Sequence, residues 1–154
     1  MKSLVLRAPA PGERTALLDL WVAAWDATFP DIDFDARRDW LTGHLAKIEA
    51  SGAKTICAFD DDRPLGFVTI DPATGWLDQI AVHPDFFGTG VATKLLAAAK
   101  RISPARVKLD VNADNFRALR FYRREQFIRT GASVNALSGR ETVVLEWRGG
   151  EMTD

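Results

Sequence analysis

The chain has 154 residues, 47% hydrophobic and 27% charged, which matches one ordinary globular domain over residues 1–154. Twenty Lys and Arg stand against twenty-one Asp and Glu, a net charge of −1, so no global field selects nucleic acid or a membrane surface. One cysteine, Cys57, excludes an internal disulfide, and two distant histidines, His44 and His83, match no metal-ligand spacing, so no metal is expected. The apolar run in "MKSLVLRAPAPGER" breaks at Arg7 and nothing approaches a spanning length, which makes the cytoplasm the default expectation.

In chain order, "LVLR" (4–7) reads as a first strand ended by the turn signal "APAPGE". Leu17, Leu18, Trp21, Val22 and Trp25 recur at helical spacing until Pro30 stops the pattern. A second helix is expected through "FDARRDWLTGHLAKIEA", ending at Gly52. "KTICAF" and "LGFVTI", separated by the polar turn "DDDRP", predict an antiparallel hairpin. "TGWLDQIAV" is a further strand, followed by a glycine turn and a helix over 90–101. Then come the strand "ARVKLDV", the helix "DNFRALRFYRRE" and two closing strands, "QFIRT" and "RETVVLEW". The order β α α β β β α β α β β contains one parallel crossover, from strand 76–82 through helix 90–101 to strand 106–111. A right-handed crossover puts the glycine turn at the carboxyl edge of the strands, where α/β sheets bind ligands.

The glycine turn is "VHPDFFGTGVATK". The first turn of a helix has unpaired N–H groups and a partial positive charge, so an anion is stabilised there without a lysine. Gly88 and Gly90 keep side chains out of the way, although two glycines also simply make a tight turn. In the later helix, Asn115, Ala118 and Tyr122 share one face, and Tyr122 is the sole tyrosine beside nine phenylalanines. A ring that packs while its hydroxyl meets water is the plain alternative for Tyr122.

The runs "WLDQIAVHPDFFGTGVATKLL" and "KLDVNADNFRALRFYRREQF" resemble the two central motifs of the GNAT family of acyl-CoA-dependent N-acyltransferases. The family's pyrophosphate loop is Q/R-x-x-G-x-G/A; Phe87-Gly88-Thr89-Gly90-Val91-Ala92 matches it at Gly90 and Ala92, with Phe87 where Gln or Arg is usual. The backbone N–H groups from Gly88 to Ala92, continuing to Thr93, remain as phosphate donors. The second motif, L-x-V-x-x-x-N-x-x-A-x-x-F-Y-x-x-x-G-F, is matched at Leu109, Val111, Asn115, Ala118, Phe121, Tyr122 and Phe127. Gln126 replaces its glycine, which implies either another helix cap or a strain of about 1 kcal/mol.

The resemblance implies a mixed, mostly antiparallel α/β (α+β) sheet of about seven strands, splayed between its parallel fourth and fifth strands, with helices on both faces. It implies acetyl-CoA as cofactor, its pantetheine arm paired with the backbone of Ile80, Ala81 and Val82 and flanked by Asn115 and Ala118. Tyr122 takes the place of the general acid that protonates the departing thiolate. For the base, Asp78 is preferred over His83 and Asp110; a solvated strand-end carboxylate is the plain alternative, and His83 reads as a turn residue. His44 reads as a surface residue and Cys57 as core filling. Trp25 and Phe29, at the end of the first helix, are expected to line the acceptor side, where Asp26, Asp31, Asp33 and Asp35 either attract a cationic amine or are simply solvated. Lys94, Lys100 and Arg101 either meet the cofactor's adenosine phosphate or face solvent. The acceptor is expected to be a small-molecule or peptide amine, with no nucleic acid or membrane partner. A homodimer contact through "TGASVNALSGRETVVLEW" stands beside an ordinary sheet edge as its explanation.

Two rivals remain. Gly90 precedes the strand-end Asp110 by about 20 residues, as in a dinucleotide-binding unit. That reading lacks the third glycine, Thr93 standing there, and has only one crossover. A catalytically silent acyl-CoA-binding module shares every cofactor feature.

Overall fold

The computed structural model describes residues 4–136 and 138–149; the outermost residues of the expected 1–154 domain and Leu137 of the expected dimer stretch lie outside them. Seven strands and four α-helices follow the expected order: β1 Leu4–Arg7, α1 Arg14–Thr28, α2 Arg38–Ala50, β2 Lys54–Asp60, β3 Arg63–Ile70, β4 Leu77–Val82, α3 Val91–Ile102, β5 Arg106–Asn112, α4 Phe116–Arg124, β6 Ile128–Val134 and β7 Glu141–Arg148. Single 3-10 turns precede α1, α2 and the glycine loop.

The strands form two antiparallel sheets, ordered β1-β2-β3-β4 and β5-β7-β6. Between β4 and β5 the pairing is one parallel bridge, Trp76 with Lys108, and Lys108 N–H donates to the Gly75 carbonyl at 2.7 Å. The expected splay is therefore a break after a single bridge, and it leaves both strands with backbone groups to offer a ligand.

Alternation along β2 explains why helices cover both faces of the first sheet. Cys57 and Phe59 point into a cluster with Leu17, Leu20 and Trp21 of α1 and Leu41 and Leu45 of α2. Ala58, with Val68 and Ile70 of β3, packs on the other face against Val91, Leu95 and Leu96 of α3. Burial pushes the Cys57 thiol up to about 12, so it is an inert core residue as expected. β6 begins two residues later than expected, because Gln126 and Phe127 complete the end of α4.

Candidate active site

One register shift on β4 builds the centre of the site. Thr69 pairs with Gln79 but Ile70 pairs with Leu77, so Asp78 is an extra, unopposed residue. Such a bulge re-aims side chains. Gln79 accepts a hydrogen bond from Trp21 Nε1 at 3.1 Å, and Asp78 Oδ2 meets His44 Nε2 at 2.6 Å. His44 is therefore not the surface residue its polar neighbours suggest. Its ring stacks on Trp40, one turn earlier, with centroids 4.7 Å apart and planes 10° apart. The carboxylate fixes which ring nitrogen faces it, and the stack fixes the ring plane.

A cavity of about 590 Å³ opens between β4 and β5. Asp78, Ile80, Ala81 and Val82 of β4 line one wall, and Asp110 and Asn112 of β5 the other. Asn115, Ala118 and Tyr122 come from α4, and Trp25 from α1. Phe87, Gly88, Gly90, Ala92 and Thr93 line its loop end, while Val91 is buried in the core and the Thr89 hydroxyl donates to the Phe86 carbonyl at 2.6 Å. Phe29, expected beside Trp25 on the acceptor side, is not among the residues lining the cavity; its ring stacks on Trp25 at 5.9 Å and the Arg140 guanidinium lies over it at 4.5 Å.

The cavity is electrically divided. Arg117, Arg120 and Arg124 of α4 line it, as do Asp78 and Asp110. Burial, reinforced by the Asp78 carboxylate, pushes the Asp110 carboxyl above its ordinary range even though part of the residue still reaches solvent. Thr142 lies near enough to ease that shift, yet its buried hydroxyl has no partner in hydrogen-bonding geometry. The loop acids take no part in the cavity wall: Asp33 caps Ala36 N–H at 3.1 Å and Asp35 pairs with Arg38 at 2.6 Å. His83 accepts from Asp85 N–H at 3.1 Å, as a turn residue does. Lys100 lies over the Trp147 ring at 4.8 Å and donates to the Glu125 carbonyl, away from the cavity.

Tyr122 is 5% exposed, with its ring edge-on to Phe121 and Phe127 at 5.1 and 5.3 Å. Its hydroxyl has no hydrogen-bond partner among the described residues, and burial raises its pKa. It therefore stays protonated at neutral pH. Asn115 caps α4, its side-chain oxygen accepting from Ala118 N–H at 3.2 Å.

At the loop end, Gly88 and Gly90 have φ of +76° and +91°, and nothing lies within 4 Å of where a Cβ would sit on either. Gly90 is the N-cap of α3 and provides no side-chain cap, which leaves the first-turn N–H groups without a side-chain partner, whereas the Thr89 N–H, expected as a free donor, is taken by the Phe86 carbonyl at 3.3 Å. This is a cradle with room and donors for a diphosphate.

Residues 14–127 match the Acetyltransferase (GNAT) family. The chain belongs to that family. It is 30% identical over 107 residues to mycothiol acetyltransferase of Thermobispora bispora, covering 68% of this chain and 34% of that relative, so it spans about a third of the relative's length. Its fold is similar to PaiA N-acetyltransferase of Thermoplasma acidophilum in complex with coenzyme A, with a TM-score of 0.74, 16% identity and coverage of 95% and 99% of the two chains. It is likewise similar to apo YjaB of Escherichia coli, with a TM-score of 0.74, 25% identity and coverage of 96% and 99%. GNAT acetyltransferases use acetyl-CoA as the acyl donor.

Proposed function

We propose that this GNAT protein transfers an acetyl group from acetyl-CoA to a primary amine by direct attack, with Tyr122 as general acid and Asp78 as proton acceptor. The carrying observation is that Asp78 and Tyr122, from different elements, line one cavity whose far end is the glycine cradle. Bound acetyl-CoA supplies the acyl carbon and a thiolate leaving group. N–H groups of the cradle and first turn of α3 bind the diphosphate, and main-chain groups of Ile80 to Val82 hold the pantetheine arm.

An incoming ammonium, with a pKa near 10.4 for a lysine-like amine, must lose a proton before it attacks. Asp78 is placed to take it, directly or through water. His44 is a positioning residue that orients this carboxylate and gives the proton a route outward. As the C–N bond forms, the nitrogen sheds its second proton to water; as the C–S bond breaks, the Tyr122 hydroxyl gives its proton to sulfur and its phenolate takes a proton back from solvent. The raised tyrosine pKa keeps the acid loaded, while making transfer to a thiol of reference pKa about 8.5 uphill; collapse of the adduct drives it.

The test measures thiol release from acetyl-CoA with a panel of primary amines, alongside calorimetric titration with acetyl-CoA and NADH. The expected result is acetyl-CoA binding without NADH binding, lost in Gly90→Glu. With an accepted amine, Tyr122→Phe and Asp78→Asn should each lower kcat about 100-fold or more at similar KM for acetyl-CoA. Binding without thiol release from any amine would leave the silent module of the same fold. NADH binding alone would overturn the cofactor reading.

A further inference from the structure

Phe87 stands where the family motif has Gln or Arg, so the glycine loop carries no polar side chain at that place. What faces Phe87 is Arg117, in the first turn of α4, with its guanidinium carbon 3.9 Å from the ring centroid. Its Nη2 donates to Thr28 Oγ1 at 3.2 Å, and both Phe87 and Arg117 line the cavity.

Three features of this arginine favour an anion beside it. Arg7, Arg14, Arg38 and Arg140 each meet a carboxylate at 3.0 Å or less, whereas Arg117, like Arg120 and Arg124 on the same wall, has no acidic partner among the described residues; of these three only Arg117 rests on the glycine loop, through Phe87. The residue is still exposed to solvent, and the partial desolvation of its guanidinium lowers its pKa. It also sits in the first turn of a helix, where the macrodipole disfavours a cation. A charge held against both desolvation and a dipole is stabilised when an anion arrives. With its carbon 3.9 Å from the Phe87 centroid and Nη2 tied to Thr28, the guanidinium is held in place while its other N–H groups have no recorded partner, an arrangement that a lysine ammonium does not reproduce.

We infer that Arg117, held by Phe87, supplies the cofactor's pyrophosphate with the positive side-chain contact that the loop itself lacks. The inference rests on the acetyl-CoA reading above. It converts the Phe87 departure from a missing contact into a relocated one: the charge comes from α4, and the loop position provides the plate on which it rests.

The experiment is calorimetric titration of wild type and variants with acetyl-CoA and with 3′-dephospho-acetyl-CoA. Arg117→Ala is expected to weaken both ligands about 10- to 100-fold, the range for a charge-assisted hydrogen-bonded contact, with a shallower salt dependence than wild type. Arg117→Lys should fall between. The double variant Arg117→Ala/Phe87→Arg returns a cation from the loop side and should regain most of the loss. Thr28→Val removes the tie from Arg117 to α1 without touching the charge and should bind like wild type.

Equal binding by wild type and Arg117→Ala overturns the inference. So does a loss that disappears with the dephospho ligand, which would move the contact to the 3′-phosphate. A Thr28→Val loss as large as that of Arg117→Ala would make the residue a structural tie and also overturn it. Wild type binding neither ligand would sink the acetyl-CoA reading itself, a result distinct from binding that ignores Arg117.

Discussion

Replacing Gln126 with glycine should stabilise the protein while leaving its chemistry alone. Gln126 has φ +72°, a left-handed conformation that costs a residue with a Cβ about 1–2 kcal/mol. The backbone requires it. Phe127 N–H donates to the Tyr122 carbonyl at 3.0 Å and Gln126 N–H to the Arg123 carbonyl at 3.1 Å, the paired bonds of a Schellman helix end. The accompanying apolar contact is Phe127 against Tyr122. Thus the helix keeps the glycine geometry without the glycine, and the strained alternative raised by the sequence is the one realised.

Glycine relieves the strain but adds unfolded-chain entropy worth about 0.4–1 kcal/mol. The net gain is about 0.5–1 kcal/mol, or a rise in Tm of about 1–4 °C for a domain of this size. Gln126 is exposed and its side chain has no hydrogen bond among the described residues, so no contact offsets the gain. Thermal and urea unfolding of the ligand-free protein would measure it, with Gln126→Ala as control. Alanine keeps the strain and should match wild type within a few tenths of a kcal/mol. A glycine variant no more stable than the alanine variant would refute the reasoning, as would a changed kcat, because the Tyr122 ring is held by the same bonds in both.

Gly66→Ala should destabilise by about 1–3 kcal/mol in urea unfolding, because the new methyl carbon would lie 2.8 Å from the Ala81 carbonyl oxygen and 2.9 Å from Leu95 Cδ1; wild-type stability would show that β3 and β4 can separate freely. His44→Ala should lower kcat about tenfold at unchanged KM for acetyl-CoA, and His44→Gln, which still donates to Asp78, should recover part of it. Equal losses in both variants would assign His44 to the ring stack instead. Glu13 is held at about 2, first by its hydrogen bonds to Arg7 and then by the Ala10 N–H, from an ordinary 4.5. Its folded pKa is depressed, so its contribution is present above about pH 4.5 and is lost as pH falls toward 2. Glu13→Gln should therefore lose less stability across that window than wild type, and parallel acid limbs for the two would contradict the linkage.

The order of elements and the open glycine turn are readable because both depend on local rules. Apolar spacing marks α1, turn residues separate β2 from β3, and Gly88 and Gly90 are the residues that adopt positive φ at a strand-to-helix turn. What escaped depends on long-range register. His44 and Asp78 are 34 positions apart, and nothing near either marks a partnership. Their meeting follows from one extra residue on β4, which turns Asp78 toward α2 while Gln79 turns toward Trp21. A bulge of this kind leaves no compositional mark, since it is a choice of pairing made by two strands together. The four loop aspartates were the more visible acids, yet local caps and Arg38 occupy two of them, Asp33 and Asp35. The acids that face the cavity are Asp78 and Asp110, each on a strand bordering the break. The same break that opens the cavity therefore exposes both carboxylates to it, where the proposed reaction needs them. On the proposed reading, cofactor and acceptor recognition share one structural cause, the single bridge at which β4 and β5 stop pairing.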